Sequence, residues 1–301
     1  MTTAVIARPT IGQRISGPLA GAIDFLRLLA KRPVGLAGFI GIVFFLVLAF
    51  IVPFFVPLRN DPSLAEIYQT PSPAHPLGTD FQGKDVLNQI VYGGQPILIV
   101  AILAAFFSTL IAITFGSISA TVGGRLDAAI LAITDVTLTL PKLILLIAIA
   151  AILRPTSFVV LAFILAAIQW SSLLRQVRAQ VLSLKERDYV EAARSLDLGL
   201  FHIVFREILP TMRSYIVIHF ILAMTEAMYA QVGIILLGLL PLTGSNWGIM
   251  LYFARDQGAL FFRDSLWYIL SPITAIALVQ LSLVSFASAL EDIFNPRLRG
   301  A

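Results

Sequence analysis

Residues 188–210, DYVEAARSLDLGLFHIVFREILP, decide how the rest of the chain is read. They form the longest polar interruption between two strongly apolar segments, and they carry both charge signs. Asp188 followed three residues on by Glu191 predicts a helix start, with the aspartate accepting from free backbone N–H groups and the glutamate reaching back. Ala192, Ala193, Arg194 and Leu196 favour helix. Gly199 is expected to take the left-handed conformation that ends it. A second helical run, 201–209, is expected to stop at Pro210, which cannot continue the hydrogen-bond ladder. The shape is a short helix, a glycine turn and a second helix feeding an apolar segment. On composition alone this is an ordinary helix–turn–helix loop; in a membrane protein it is a rigid lever held out into the cytoplasm.

Composition places the chain in a membrane. Of its 301 residues 58% are hydrophobic and 13% charged, against about 45–50% and about 25% in soluble domains. Crossing the hydrocarbon takes about 20 mainly apolar residues. Six segments qualify: 34–58, 96–116, 136–153, 157–174, 214–240 and 265–290. The third and fourth, separated by Arg154-Pro155-Thr156, read as a hairpin of two spans. The fold class is therefore an all-α membrane protein of six transmembrane helices. Its parts are an N-terminal arm (1–33), a first span (34–58), an outer loop (59–95), a five-span core (96–292) with a cytoplasmic loop at 175–213, and a tail (293–301).

Lysine and arginine orient the set. The arm, the loop after the second span, the loop after the fourth and the tail together hold fifteen; the opposite loops hold five, Arg59, Lys84, Arg154, Arg255 and Arg263. Both termini and 188–210 are thus expected in the cytoplasm. The net charge of +4 follows from this bias and needs no nucleic-acid partner. With no cysteine, disulfides, thiol catalysis and cysteine metal sites are excluded. The long first span behind a polar arm argues against a cleaved signal peptide. Residues 20–31 have helical apolar spacing and read either as a helix on the membrane surface or as an extension of the first span.

Four polar groups fall within predicted spans: Lys142, His219, Glu226 and Gln231. Such groups are costly in lipid and usually face a cavity or another helix. Lys142 is a pathway candidate or snorkels to an interface. Glu226 is read as a pathway or helix–helix contact, His219 as satisfied by a neighbouring helix, and Gln231 as a structural hydrogen bond or a further pathway residue. In the outer loop His75 and Asp80 are two potential metal ligands, too few for a site. Trp247, Tyr252, Trp267 and Tyr268 fit an aromatic belt.

Several motifs resemble the C-type permease subunits of ABC importers, in the dipeptide/oligopeptide/nickel branch. Glu191-Ala192-Ala193 with Ile208-Leu209-Pro210 resembles their E-A-A loop. His75-Pro76-Leu77-Gly78-Thr79-Asp80, Gly83-Lys84-Asp85 and Tyr92-Gly93 resemble their first outer loop. Gly123-Gly124-Arg125-Leu126-Asp127 with Asp135 and Pro141, Trp247-Gly248-Ile249-Met250-Leu251, and Asn295-Pro296-Arg297-Leu298-Arg299 follow in family order. Departures are Asp197 where the family usually has glycine, Gln95 for arginine, Leu131-Ala132 for Met-Arg, Gln231 for glutamate and Asn295 for aspartate.

The resemblance implies the type I ABC importer permease fold in a prokaryotic inner membrane. It implies no catalytic residue in this chain and no cofactor bound by it, with ATP and Mg held by two partner ATPase subunits. The other partners are a second homologous permease, an external solute-binding protein and the lipid bilayer. The ATPase-coupling residues would be Asp188, Glu191, Ala192, Ala193, Asp197, Leu198, Gly199 and Phe201. Di- or oligopeptides are the expected cargo, with oligosaccharides or nickel as alternatives. No nucleotide-binding G-x-x-x-x-G-K-[ST] loop occurs in the sequence, so energy must come from a separate protein. An ion-coupled secondary transporter would call for several mid-membrane carboxylates and an internal repeat; Glu226 stands alone and no clear repeat is seen. A membrane-embedded enzyme would need a constellation that His75, His202 and His219 do not make.

Overall fold

A computed structural model of the protein describes residues 18–58, 61–240 and 243–294, with side chains from residue 23 onward. Residues 1–17 of the expected N-terminal arm and the Asn295–Arg299 tail motif lie outside the described residues. Those described are helical, without a strand; one isolated bridge joins Thr79 and Asp85.

The helices are α1 (Pro18–Ala30), α2 (Pro33–Phe50), α3 (Val86–Val122), α4 (Gly124–Thr139), α5 (Lys142–Leu153), α6 (Phe158–Leu184), α7 (Asp188–Ser195), α8 (Leu200–His202), α9 (Leu209–Thr211), α10 (Arg213–Leu236), α11 (Trp247–Asp256) and α12 (Leu266–Phe294). Five segments are long and apolar enough to cross a membrane: 33–54, α3, α6, α10 and α12. A sixth crossing exists only if α4 and α5 count as one, and these meet at 89°.

That bend corrects the expected third span, 136–153. Pro141 disfavours the helical region for the residue before it, and Leu140 is extended at φ −83°, ψ 130°. The chain turns there and restarts as α5, which at 12 residues is only about 18 Å long. The second span is longer than the apolar run predicts. α3 starts at Val86, where Asp85 accepts from the Asn88 N–H at 2.7 Å, and its 37 residues contain Pro96.

α3, α6, α10 and α12 build the main core around Ala101, Leu165, Met228 and Val279. α2 lies against α12 by close approach of small residues. A Cβ on Gly35 would sit 2.1 Å from that of Ala289, and one on Gly38 would sit 2.7 Å from the Ser282 carbonyl oxygen. α1 is a separate helix, not an extension of α2. Its buried Leu29 packs with Ala289 and Ile293 at the end of α12, and Arg32 pairs with Asp292 at 3.2 Å. The start of α2 and the end of α12 therefore share one end of the bundle. A second core holds the ends of α3 and α6 together with α7: Ala120, Val177, Val181, Val190, Ala193 and Ile208.

Candidate functional site: a protruding helical lever, an ion pair beside a cavity and a capped loop

α7 forms as predicted, but its caps are not the predicted ones. Arg187 occupies the N-cap without a side-chain bond, and Asp188 is the first helical residue. There its carboxylate and that of Glu191 lie in the first turn, where the helix dipole favours them. At the other end Asp197, not Gly199, is left-handed (φ 53°). Its N–H donates to the Arg194 carbonyl at 2.9 Å, and the Leu198 N–H donates to the Ala193 carbonyl at 3.1 Å. These two bonds define a Schellman motif. Gly199 is in a region open to any residue (φ −57°, ψ 158°). Aspartate is one of the few other residues that visit the left-handed region, so Asp197 fills the glycine role that resembled proteins place at this position.

Pro210 does not stop the second run. α8, a π-helical turn at Ile203–Ile208 and α9 follow one another into α10. The wider turn lies where the missing Pro210 N–H and the ring would strain an α-helical ladder. Val190, Ala193, Ile203 and Ile208 face inward onto the second core. Leu196 is 73% exposed and Phe201 75%, and Phe201 stacks on exposed Phe205 with ring centroids 4.4 Å apart. Glu191 and Ala192 are exposed; Leu198 is half-buried.

The lever rests on contacts that sequence reading missed. Arg178 of α6 grips Asp127 of α4 through two bonds, Nε to Oδ1 at 2.7 Å and Nη2 to Oδ2 at 2.6 Å. Ser119 also donates to Asp127, and Arg175 pairs with Asp135. Lys185, beside the start of α7, donates to the Ala120 carbonyl at 3.3 Å. The signal was present: two arginines one helical turn apart on α6, and two carboxylates two turns apart on α4. Both arginines had been absorbed into the charge bias.

Lys142 at the start of α5 and Glu226 in α10 form an ion pair at 2.5 Å. The pair borders a cavity of about 260 Å³ between α5, α6 and α10, with Gln169 and Tyr229 also at its wall. Each partner is partly exposed; charged groups on membrane-spanning helices usually face a cavity or another protein rather than lipid. Gln231 does not join it. Five residues past Glu226, it lies about 140° round the helix. It is fully buried, and neither amide atom has a hydrogen-bond partner. The structural hydrogen bond expected of it is not formed. His219 packs on the Tyr215 ring of its own helix, centroids 4.1 Å apart.

At the far end the outer-loop motif is a cap. His75 Nδ1 and Asp85 Oδ2 share a hydrogen bond at 2.8 Å, while Asp85 caps α3. Asp80 accepts from the Gln82 and Lys84 N–H groups at 2.7 and 2.9 Å and from Gln89 Nε2 at 2.8 Å. His75 and Asp80 are thus spent on separate partners. Burial, and then the Asp80 carboxylate, push the neighbouring Tyr68 phenol above its ordinary pKa.

Trp247 corrects the aromatic-belt reading. It is fully buried, as is Tyr268, and its indole N–H donates to the Ile90 carbonyl at 2.8 Å. Gly93 and Gly94 make room: a Cβ on Gly93 would meet the indole Cδ1 at 2.9 Å. Trp267 remains exposed, as the belt requires.

Residues 112–300 match the model of the family described as "Binding-protein-dependent transport system inner membrane component". A protein of Brucella suis biovar 1 (strain 1330), provisionally named a peptide permease, is 33% identical over 295 residues, 95% of each chain. The dipeptide transport system permease protein DppC of Bacillus subtilis (strain 168) is 30% identical over 280 residues, covering 92% of this chain and 86% of its own. DppC of Haemophilus influenzae (strain ATCC 51907 / DSM 11121 / KW20 / Rd) is 29% identical over 276 residues, covering 86% and 90%. With a multi-helical membrane fold and relatives aligned over nearly its whole length, the chain belongs to the binding-protein-dependent transport system inner membrane components, the permease subunits of ABC transporters.

Proposed function

We propose that this permease imports di- or oligopeptides and is driven by partner ATPases that grip the 188–210 lever. One observation carries the coupling reading. The lever is fastened inward by Val190, Ala193, Ile203 and Ile208, yet turns Leu196, Phe201 and Phe205 outward. Large apolar side chains held out on a rigid base are the anatomy of a docking surface. Asp188, Glu191, Ala192, Asp197 and Gly199 frame that surface, while Ala193 and Leu198 fasten it. The lever, the termini-proximal ends of α2 and α12 and most basic residues then share the cytoplasmic face of the inner membrane. ATP and Mg act on two partner ATPases, a second permease closes the pathway, and a solute-binding protein delivers the peptide. Peptide cargo rests on the names of the relatives.

The test is ATP-driven uptake in vesicles by the complex purified from its native membrane. Phe201→Asp combined with Leu196→Asp should cut uptake by about tenfold or more, with yield and thermal stability of the permease unchanged. Undiminished uptake would refute the docking role.

A further inference from the structure

The cavity between α5, α6 and α10 has an unusual wall. Leu143, Leu146, Leu165 and Ile168 make it apolar, Tyr229 adds an aromatic face, and its two formal charges are Lys142 and Glu226. These two neutralise each other at 2.5 Å. Beside them Gln169, only 4% exposed, has an amide oxygen without a hydrogen-bond partner. Buried polar atoms are seldom left unpaired, and this oxygen, at the cavity wall, is free to accept from a bound molecule. The volume, about 260 Å³, lies just under the range of about 300–1,000 Å³ common for small-ligand sites, and one side of the cavity is open.

We propose that Lys142, Glu226 and Gln169 form a subsite for zwitterionic cargo, a molecule carrying both a free ammonium and a free carboxylate. This rests on the import reading above and adds the chemical feature that the pathway recognises. A lone buried lysine or glutamate would hold cargo of the opposite charge and repel the rest. A matched pair does neither. It yields when one molecule brings both missing counter-ions: the carboxylate takes Lys142, the ammonium takes Glu226, and the Gln169 oxygen accepts a further ammonium N–H. One ion pair is given up and two are made, so neither the cargo's charges nor those of Lys142 and Glu226 are left without a counter-ion. A neutral sugar offers hydroxyls only, and cargo with one end blocked leaves either Lys142 or Glu226 unpaired. The pair is thus a filter for peptides with free ends, and it closes behind them by re-forming. The bend at Leu140-Pro141 places Lys142 in the first turn of its own short helix, so the lysine is positioned separately from α4.

The experiment uses the complex purified from its native membrane with its partner subunits and rebuilt in vesicles with its binding protein. ATP-driven uptake is measured for tri-alanine, N-acetyl-tri-alanine and tri-alanine amide, each corrected for occupancy of the binding protein. Wild type should favour the free peptide over each capped form by about tenfold or more. Lys142→Gln combined with Glu226→Gln should bring that ratio towards one, and Lys142→Glu combined with Glu226→Lys, which keeps a pair, should restore it. A preference that survives the double glutamine variant would overturn the subsite while leaving peptide import intact. If the glutamine variant does not assemble, loss of the preference in the charge-swapped variant overturns it equally. Absence of any ATP-driven tri-alanine uptake by wild type would sink the import reading and the subsite with it.

Discussion

The two ends of the bundle handle their polar and apolar groups in opposite ways. At the outer cap the carboxylates of Asp80 and Asp85 are each held by several donors, and Trp247 is sealed beneath with its N–H paired. At the lever the backbone is in order, but Leu196, Phe201 and Phe205 point into open space. The cap is complete within this chain; the lever leaves large apolar side chains uncovered, as the docking proposal requires. On the proposed reading the difference separates residues that fold the protein from residues that work it, although both groups sit in motifs of similar prominence in the sequence.

Substitutions can break or sharpen that contrast. Trp247→Ala should be the most damaging to stability, by about 3–5 kcal/mol, because it empties a buried indole site and removes the indole's bond to the Ile90 carbonyl. The measure is thermal unfolding of the detergent-solubilised permease; a loss below about 1 kcal/mol would place Trp247 among the working residues instead. Asp85→Ala should cost about 1–2 kcal/mol, since it removes the α3 cap and the partner of His75 together. The same unfolding assay decides, and His75→Ala in the Asp85→Ala background should then add less than it does alone. Asp197→Gly should be the mildest, within about 0.5 kcal/mol, because both residues accept the left-handed turn, whereas Asp197→Val should cost about 1–2 kcal/mol. If valine is as well tolerated as glycine, the turn is not what holds the lever.

Five of the six expected spans and α7 were legible because long apolar runs and charge interruptions act locally. The bend was written in Pro141, but a span-length count hides it. Trp247 was misread because an aromatic beside an outer loop looks the same whether it faces headgroups or core; the deciding signal was Gly93-Gly94, more than 150 residues earlier in the chain. Lys142 and Glu226, 84 positions apart, were each singled out for their cost in lipid, but only the fold makes them one group. Asp197 looked like a departure because letters are compared more readily than dihedral angles.

α3 has a mechanical consequence. It is a single rod of 37 residues, capped by Asp85 at one end and bearing at the other the Ala120 carbonyl that holds Lys185 at the root of the lever. Pro96 is the one rung of that rod without a donor, and it divides the length into arms of about 15 and 39 Å. Rotation of both arms through the same angle about that rung would displace the lever end about two and a half times as far as the capped end. The rod is unequal-armed: its long arm runs to the root of the 188–210 segment and its short arm to the Asp85 cap, beside which Trp247 is buried.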